Sequence, residues 1–383
     1  MDMSKIFLKD ACPTSIGGQA LLEGIMMRGP ERTAMACRLP DGRIYLKTTK
    51  NKASSKWMKM PIIRGVVSFV SSLAIGTGML TKSADVQEYF MEDEDESYEP
   101  GKFEAWLTEK LGSQKIWNLM IAVTVLIALV FSIGIFVLLP TAVIDLLKPL
   151  TENAILLNLI EGILRIVMFI AYIVIIARME DIKRVFEYHG AEHKAIHCFE
   201  NNLELTPANA QQFYTLHPRC GTSFLMFVMV ISLILFSLLG WPTLAFRILS
   251  RLLLIPVVAG LSYELLKWAG RSDNIIVRML SIPGLLLQKL TTNEPNDEEL
   301  EVAIVSMKAV LVPADAPLVE GICDLDANIL EPMDLDKLRK EREEQEAAGK
   351  GSTAQPEPAA EEVDEPEETA DAEPAEKAGE AAV

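Results

Sequence analysis

The sequence predicts a mainly α-helical membrane protein with four transmembrane helices, a small β-containing N-terminal region and an acidic C-terminal tail. Three observations carry this. Of the 383 residues, 50% are hydrophobic, with a mean hydropathy of +0.23. The apolar residues gather in runs near the ~20 residues that a bilayer core demands. The net charge of −17 is lopsided: the chain from Thr291 onward carries 27 acidic and 7 basic residues, so the part before it is slightly basic. That balance does not describe a nucleic-acid-binding surface.

Five cysteines, at 12, 37, 198, 220 and 323, form no CxxC spacing and no even framework. They fit a reduced, cytoplasm-facing setting better than a disulfide scaffold. The N-terminus lacks an apolar core of signal-peptide length.

Residues 1–60 read as a cytoplasmic N-terminal region rich in Lys and Arg. TAMACRLPDGRIYLKTT (33–49) reads as two short strands around a Pro-Asp-Gly turn. In GGQALLEGIMMRGP (17–30) the glycines mark close backbone approach or a tight strand connection. Residues 61–116 hold an apolar stretch, 62–80, and an acidic loop. Arg64, small polar residues and glycines dilute the stretch, so it reads as a re-entrant or interfacial helix rather than a full span.

Residues 117–290 form the membrane domain, with spans at about 117–139, 155–177, 222–240 and 244–267. Lys and Arg crowd the 1–60 region, the 178–221 loop and the segment after the last span. The positive-inside rule then puts both termini and the 178–221 loop in the cytoplasm. Residues 291–312 read as an amphipathic helix capped near Asn296 or Asp297. Residues 313–383 read as an acidic, disordered tail.

All four histidines lie between Tyr188 and Thr222. Met179–Asn201 reads as one helix, on which His189 and His193 are four apart and share a face. Imidazoles at that spacing can hold one divalent metal, and Glu192 between them can serve as a general base. HGAEH also fits H-x-x-E-H, the inverted zinc-peptidase pattern. His217, Cys220 and Glu264 all fall near the cytoplasmic interface and are candidates to complete the ligand set. Zinc suits such a mixed N/O/S set. The bland alternative is a polar stripe near lipid headgroups. His197 reads as a surface or supporting residue, and Cys198 as packing.

Glu161 and Arg165 lie at i, i+4 in the second span, as do Arg247 and Arg251 in the fourth. Charges inside a bilayer are paired or functional. An interhelical ion pair from Glu161 to Arg251 or Arg247 is the preferred reading, and a transport path the weaker one.

GGQALLEGIMMRGP, YHGAEHKAIHCFE, HPRCGTSFL, SYELLKWAGR and LLLQKLTTNEPNDEELEVAI together resemble the signatures of the YqhQ-like membrane proteins, a domain of unknown function (DUF1385). The resemblance spans about residues 15–311 and leaves out the acidic tail. It implies a multi-pass bacterial inner-membrane protein and a metal-dependent enzyme, with no reaction or substrate attached.

Two functions compete. One is a zinc-dependent hydrolase at the cytoplasmic membrane interface, acting on membrane peptides or lipid-linked molecules. The other is a non-enzymatic membrane scaffold or assembly factor with a structural metal or histidine cluster. Expected partners are the lipid bilayer and membrane proteins or peptides, with no nucleic acid.

Overall fold

The computed structural model describes residues 12, 14–51, 60–91, 113–147, 149, 151, 153–239, 243–269 and 274–342. Four strands come first: β1 (Gly17–Leu21), β2 (Gly24–Arg28), β3 (Arg32–Arg38) and β4 (Ile44–Lys50). The Pro-Asp-Gly hairpin expected at 33–49 is the β3–β4 pair, with Arg38 opposite Ile44. The paired glycines open β1, and a two-residue turn with Glu23 at φ 48° joins β1 to β2.

The helices follow: α1 (Ile63–Phe90), α2 (Ser113–Ile133), α3 (Leu139–Asp145), α4 (Ala154–Ile176), α5 (Glu180–Glu200) and the short α6 (Pro207–Ala210). Then come α7 (Gly221–Ser237), α8 (Leu244–Ala269), α9 (Ile275–Thr291) and α10 (Asp297–Leu311). A π-helical turn at Gly134–Leu138 makes α2 and α3 continuous. The strands β5 (Glu320–Cys323) and β6 (Ile329–Pro332) complete a six-stranded antiparallel sheet in the order β1-β2-β3-β4-β5-β6.

β5 and β6 correct the reading of everything beyond 312 as unstructured. Glu320–Cys323 pairs with Ile44–Lys47 and covers the edge of β4. An exposed sheet edge leaves a row of unpaired N–H and C=O groups, and these two short strands satisfy it. The rest of the expected tail, 343–383, lies outside the described residues. Residues 336–383 form a separate unit, of which 336–342 are helical.

The sheet is buried on both faces, and strict alternation along the strands sorts the side chains. Ile25, Met27, Ala34, Ala36, Ile44 and Leu46 face one core with Tyr188, Ala191, Ala195 and Ile196 of α5 and Leu300, Ile304 and Val305 of α10. Met26, Met35, Cys37 and Tyr45 face the other core, with Val86, Ile75 and Met79 of α1. Each such fully buried large side chain contributes about 1.5–3 kcal/mol.

The expected cap of α10 is present. The Asn296 side chain accepts the Glu299 N–H, and Glu299 accepts the Asn296 N–H, a reciprocal capping box. The apolar residues of this helix, Leu300, Ile304 and Val305 among them, pack into the core beside the sheet, while Asp297 and Glu298 stay exposed.

Among the described residues, four helical stretches are long and apolar enough to cross a membrane: 63–90, 123–145, 154–176 and 249–269. The set differs from expectation in one member. Helix α7, expected as a span, has 17 residues. At 1.5 Å per residue it reaches about 26 Å, short of the ~30 Å hydrocarbon core. Helix α1 has 28 residues and runs through the stretch read as re-entrant. Its second half lies on the sheet, so only its first half is free to pack with the apolar helices.

There α1 meets α8 at glycines. A Cβ on Gly65 would come within 2.9 Å of the Gly260 Cα, and one on Gly260 within 2.4 Å of the Ile62 side chain. Small residues allow this close helix approach. Deeper in the bundle, the preferred ion-pair reading holds. Arg251 makes a two-pronged bond to Glu161, at 2.6 and 2.7 Å, and Arg165 reaches the same carboxylate at 2.5 Å. Arg247 pairs with Asp145 instead, at 3.0 Å.

Candidate functional site

Helix α5 begins with Glu180 and Asp181, whose charges favour its N-terminus, and ends at Asn201, as the spacing predicts. It is a polar helix whose far face is nonetheless buried between the sheet and the loop before α7. Gly190 looks unfavourable inside a helix, but tertiary structure requires it. A Cβ there would come within 2.0 Å of the Asn293 carbonyl oxygen, where the chain leaving α9 crosses α5.

That crossing sets His189. Its Nδ1 lies 2.8 Å from the Thr291 carbonyl at the end of α9, and its Nε2 lies 3.2 Å from Cys220 Sγ. One turn on, His193 Nδ1 lies 2.5 Å from the Thr215 carbonyl. A carbonyl only accepts, so both Nδ1 atoms carry the proton and donate. Both Nε2 atoms are thereby turned toward Cys220. Fixing the ring through a backbone carbonyl is how proteins orient metal-binding imidazoles. The ligand atoms of His189, His193 and Cys220 lie within 4.8 Å of one another.

Two buried polar atoms here have no hydrogen-bond partner among the described residues: His193 Nε2 and Glu192 Oε2. His193 is 1% exposed and Glu192 5%. An unsatisfied buried polar atom costs about 1–3 kcal/mol, so its persistence asks for an explanation. The other oxygen of Glu192 accepts the Gly18 N–H of β1 at 2.9 Å.

Cys220 caps the N-terminus of α7, its Sγ accepting the Thr222 N–H. Burial alone would raise its thiol. The adjacent His189 and His193 rings outweigh that and hold it well below the ordinary thiol value. Burial lowers His189, but Cys220 beside it wins and raises it to about 9. The two shifts run in opposite directions because each group favours the charged form of the other. Burial also raises Glu192 above the usual carboxylate range, against the opposing pull of both histidines.

A second group lies beside the first. His197, Glu200 and His217 also bring ligand atoms within 4.8 Å of one another. The His193 and His217 rings are 5.6 Å apart and the His197 and His217 rings 4.7 Å. Arg219 fills the place a cation would take: it bonds Glu200 directly and lies 3.3 Å from His217 Nε2. Thr14 donates twice more to Glu200, at 2.8 and 3.0 Å. Burial drives His197 down to about 4 and His217 well below the ordinary imidazole value. Both are neutral, so Arg219 is the charge partner of Glu200.

The candidate ligands therefore separate. His189, His193 and Cys220 come together, with Glu192 beside them. His217 sits one ring further along, in the Arg219 group. Glu264 is elsewhere: its carboxylate is held by the Arg64 guanidinium and the Ile62 N–H. Cys198 is buried in the α5–sheet core, as expected of a packing residue. Sequence reasoning did not find Thr215 or Thr291, because a backbone carbonyl carries no residue-type signal, and it had no local spacing that tied the Arg219 side chain to Glu200. The paired glycines did mark Gly18.

Fold and cluster together define a multi-pass helical membrane protein with a sheet domain enclosing a buried His/Cys/Glu group. The chain belongs to the DUF1385 family, described as a protein of unknown function, whose model matches residues 60–312. It is 35% identical over 308 residues to the uncharacterized protein YqhQ of Bacillus subtilis (strain 168), covering 79% of this chain and 94% of that protein. No solved structure matches.

Proposed function

We propose that this protein is a membrane-embedded metal-dependent hydrolase of the bacterial inner membrane, with its site on the cytoplasmic side and zinc as the ion. The observation that carries this is the buried, unpartnered His193 Nε2, turned by the Thr215 carbonyl toward a thiolate and a second oriented imidazole. A His₂Cys set is a zinc donor set, and three protein ligands leave the fourth position for water or substrate. His189, His193 and Cys220 would hold the ion.

Bound zinc supplies a water of lowered pKa and polarises a carbonyl or phosphoryl oxygen. Glu192 is the general base. One oxygen is anchored on Gly18 N–H and the other is free to take a proton. Burial moves its pKa toward the working pH, which suits proton transfer.

The test is the metal content of the purified full-length protein. Wild type and Glu192→Gln are expected to carry zinc at one per chain, and His193→Ala to lose it. Absence of stoichiometric metal from wild type defeats the reading. Zinc-loaded Glu192→Gln that retains full function in the cell points instead to a scaffold with a structural ion.

A second reading has its own observation, the 3.2 Å contact of His189 Nε2 with Cys220 at a helix N-terminus. An imidazole and a helix N-terminus beside a thiol favour its thiolate form, which supports a cysteine nucleophile. It predicts metal-free protein in which iodoacetamide alkylates Cys220 rapidly at neutral pH.

A further inference from the structure

A second polar group lies apart from the histidines, among the apolar helices. A cavity of about 200 Å³ opens between α4, α7 and α8, with Phe136 of the π-helical turn on one wall. Single π-helical turns inside a helix are rare and often mark functional places. Glu161, Arg165 and Arg251 all line the cavity. Its other polar side chains are Asn158 and Ser232, and both can donate hydrogen bonds.

The charges here do not balance. Glu161 accepts from both arginines and is the one carboxylate among the described lining residues. Arg247, one turn before Arg251, has a carboxylate of its own, Asp145. Two guanidinium groups against one carboxylate leave one positive charge. Glu161 lies seven residues after Ala154, the first residue of α4, so the group sits about 10 Å inside that span at 1.5 Å per residue. An uncompensated charge at such a depth is costly and marks a functional place with a partner. Arg165 is the arginine with a spare donor. Its Nε is buried without a hydrogen-bond partner among the described residues. Its side chain keeps 19% of its surface accessible, so a ligand can reach it. Arg251, by contrast, has both terminal nitrogens on Glu161 and lies over the Phe236 ring.

We propose that this cavity binds one small monovalent oxyanion, held by Arg165 with Asn158 and Ser232 as further donors. The excess charge is one, which a monoanion cancels. A guanidinium presents its N–H groups as a fork that suits the oxygens of a phosphate or carboxylate. The volume is below the ~300 Å³ of the smallest drug-sized sites and holds about six waters at ~30 Å³ each, so it fits an ion and not an organic cofactor. The phosphate of a bilayer lipid stays at head-group level, outside the hydrocarbon core and about 10 Å from Glu161. The occupant is therefore a free ion. The site shares no residue with the His/Cys cluster and stands whether or not that cluster hydrolyses anything.

The test measures binding of radiolabelled inorganic phosphate to full-length protein in detergent, in mildly acidic buffer where phosphate is the monoanion. Wild type is expected to bind one phosphate per chain, saturably. Arg165→Gln leaves Glu161 and Arg251 as a neutral pair and is expected to fold. It is expected to bind phosphate about tenfold or more weakly, as loss of a charge-assisted hydrogen bond implies. Ser232→Phe fills the cavity without altering a charge, is expected to abolish binding, and serves if Arg165→Gln does not fold. Absence of saturable binding by wild type, or binding that survives these substitutions, overturns the proposal. Phosphorus in lipid extracts of the same samples separates the two sources of phosphate. Phospholipid that copurifies at one per chain with wild type and is lost from the variants overturns the free ion and assigns the cavity to a lipid head group.

Discussion

Glu192 accepts the Gly18 N–H at 2.9 Å, and this bond fastens helix α5 to the first strand of the sheet. It leaves one carboxylate oxygen tied to backbone and the other buried without a partner. The orientation of the Glu192 carboxylate thus depends on a residue far away in sequence.

Gly18→Ala tests that dependence. The added Cβ would lie 2.7 Å from the Met26 carbonyl oxygen and 2.8 Å from Glu192 Cδ. The strand backbone cannot yield, so Glu192 must move. We expect destabilisation of about 1–3 kcal/mol, the usual cost of overpacking, and loss of any activity that needs Glu192. Gly17→Ala is the control, since a Cβ there meets nothing within 4 Å. Thermal unfolding in detergent compares the two.

Glu161 holds Arg251 and Arg165 together among apolar helices. Glu161→Gln leaves both guanidinium groups without their carboxylate. Breaking a buried pair by removing one partner costs about 3–5 kcal/mol. We expect a large drop in melting temperature with zinc content unchanged. A neutral result would show the arginines are hydrated and would favour a water-accessible path.

Glu264 pairs with Arg64 at a site where both side chains are about a quarter exposed. Such partly solvated pairs contribute about 0–1 kcal/mol. Glu264→Gln should therefore lower stability by less than about 1 kcal/mol and leave zinc binding intact. Loss of zinc would restore Glu264 as a ligand.

Glu200 gives a pH dependence. Burial raises its pKa, but His217, the Thr14 N–H and Arg219 outweigh that and lower it to about 2. Its folded value lies below its unfolded value near 4.5, so it stabilises the fold above pH 4.5. The contribution, about 3 kcal/mol, is lost as pH falls from 4.5 toward 2. Unfolding of wild type and Glu200→Gln should differ most at neutral pH and converge in acid. A difference that does not shrink on acidification would show that Glu200 stabilises by packing.

Much of this was legible locally. The Pro-Asp-Gly hairpin, the ends of α5 and the Asn296–Glu299 capping box follow from turn chemistry, periodicity and capping, all of which act within a few residues. β5 and β6 were hidden, because four-residue strands in an acidic stretch carry too little hydrophobic signal to stand out. α1 was hard to read for a different reason. Its first half packs with apolar helices and its second half covers the sheet, so its composition averages two environments.

The sequence by itself determined the helical membrane class, the single helix carrying His189, Glu192 and His193, and the shared face of the two histidines. Those depend on residue type and on a fixed 100° step. Only the tertiary structure decided that Cys220 joins them while His217 turns to Arg219 and Glu264 to Arg64. Sequence places a side chain along its helix, but the rotation of that helix against its neighbours decides what it meets. The Thr215 and Thr291 carbonyls that orient the two imidazoles come from that packing alone.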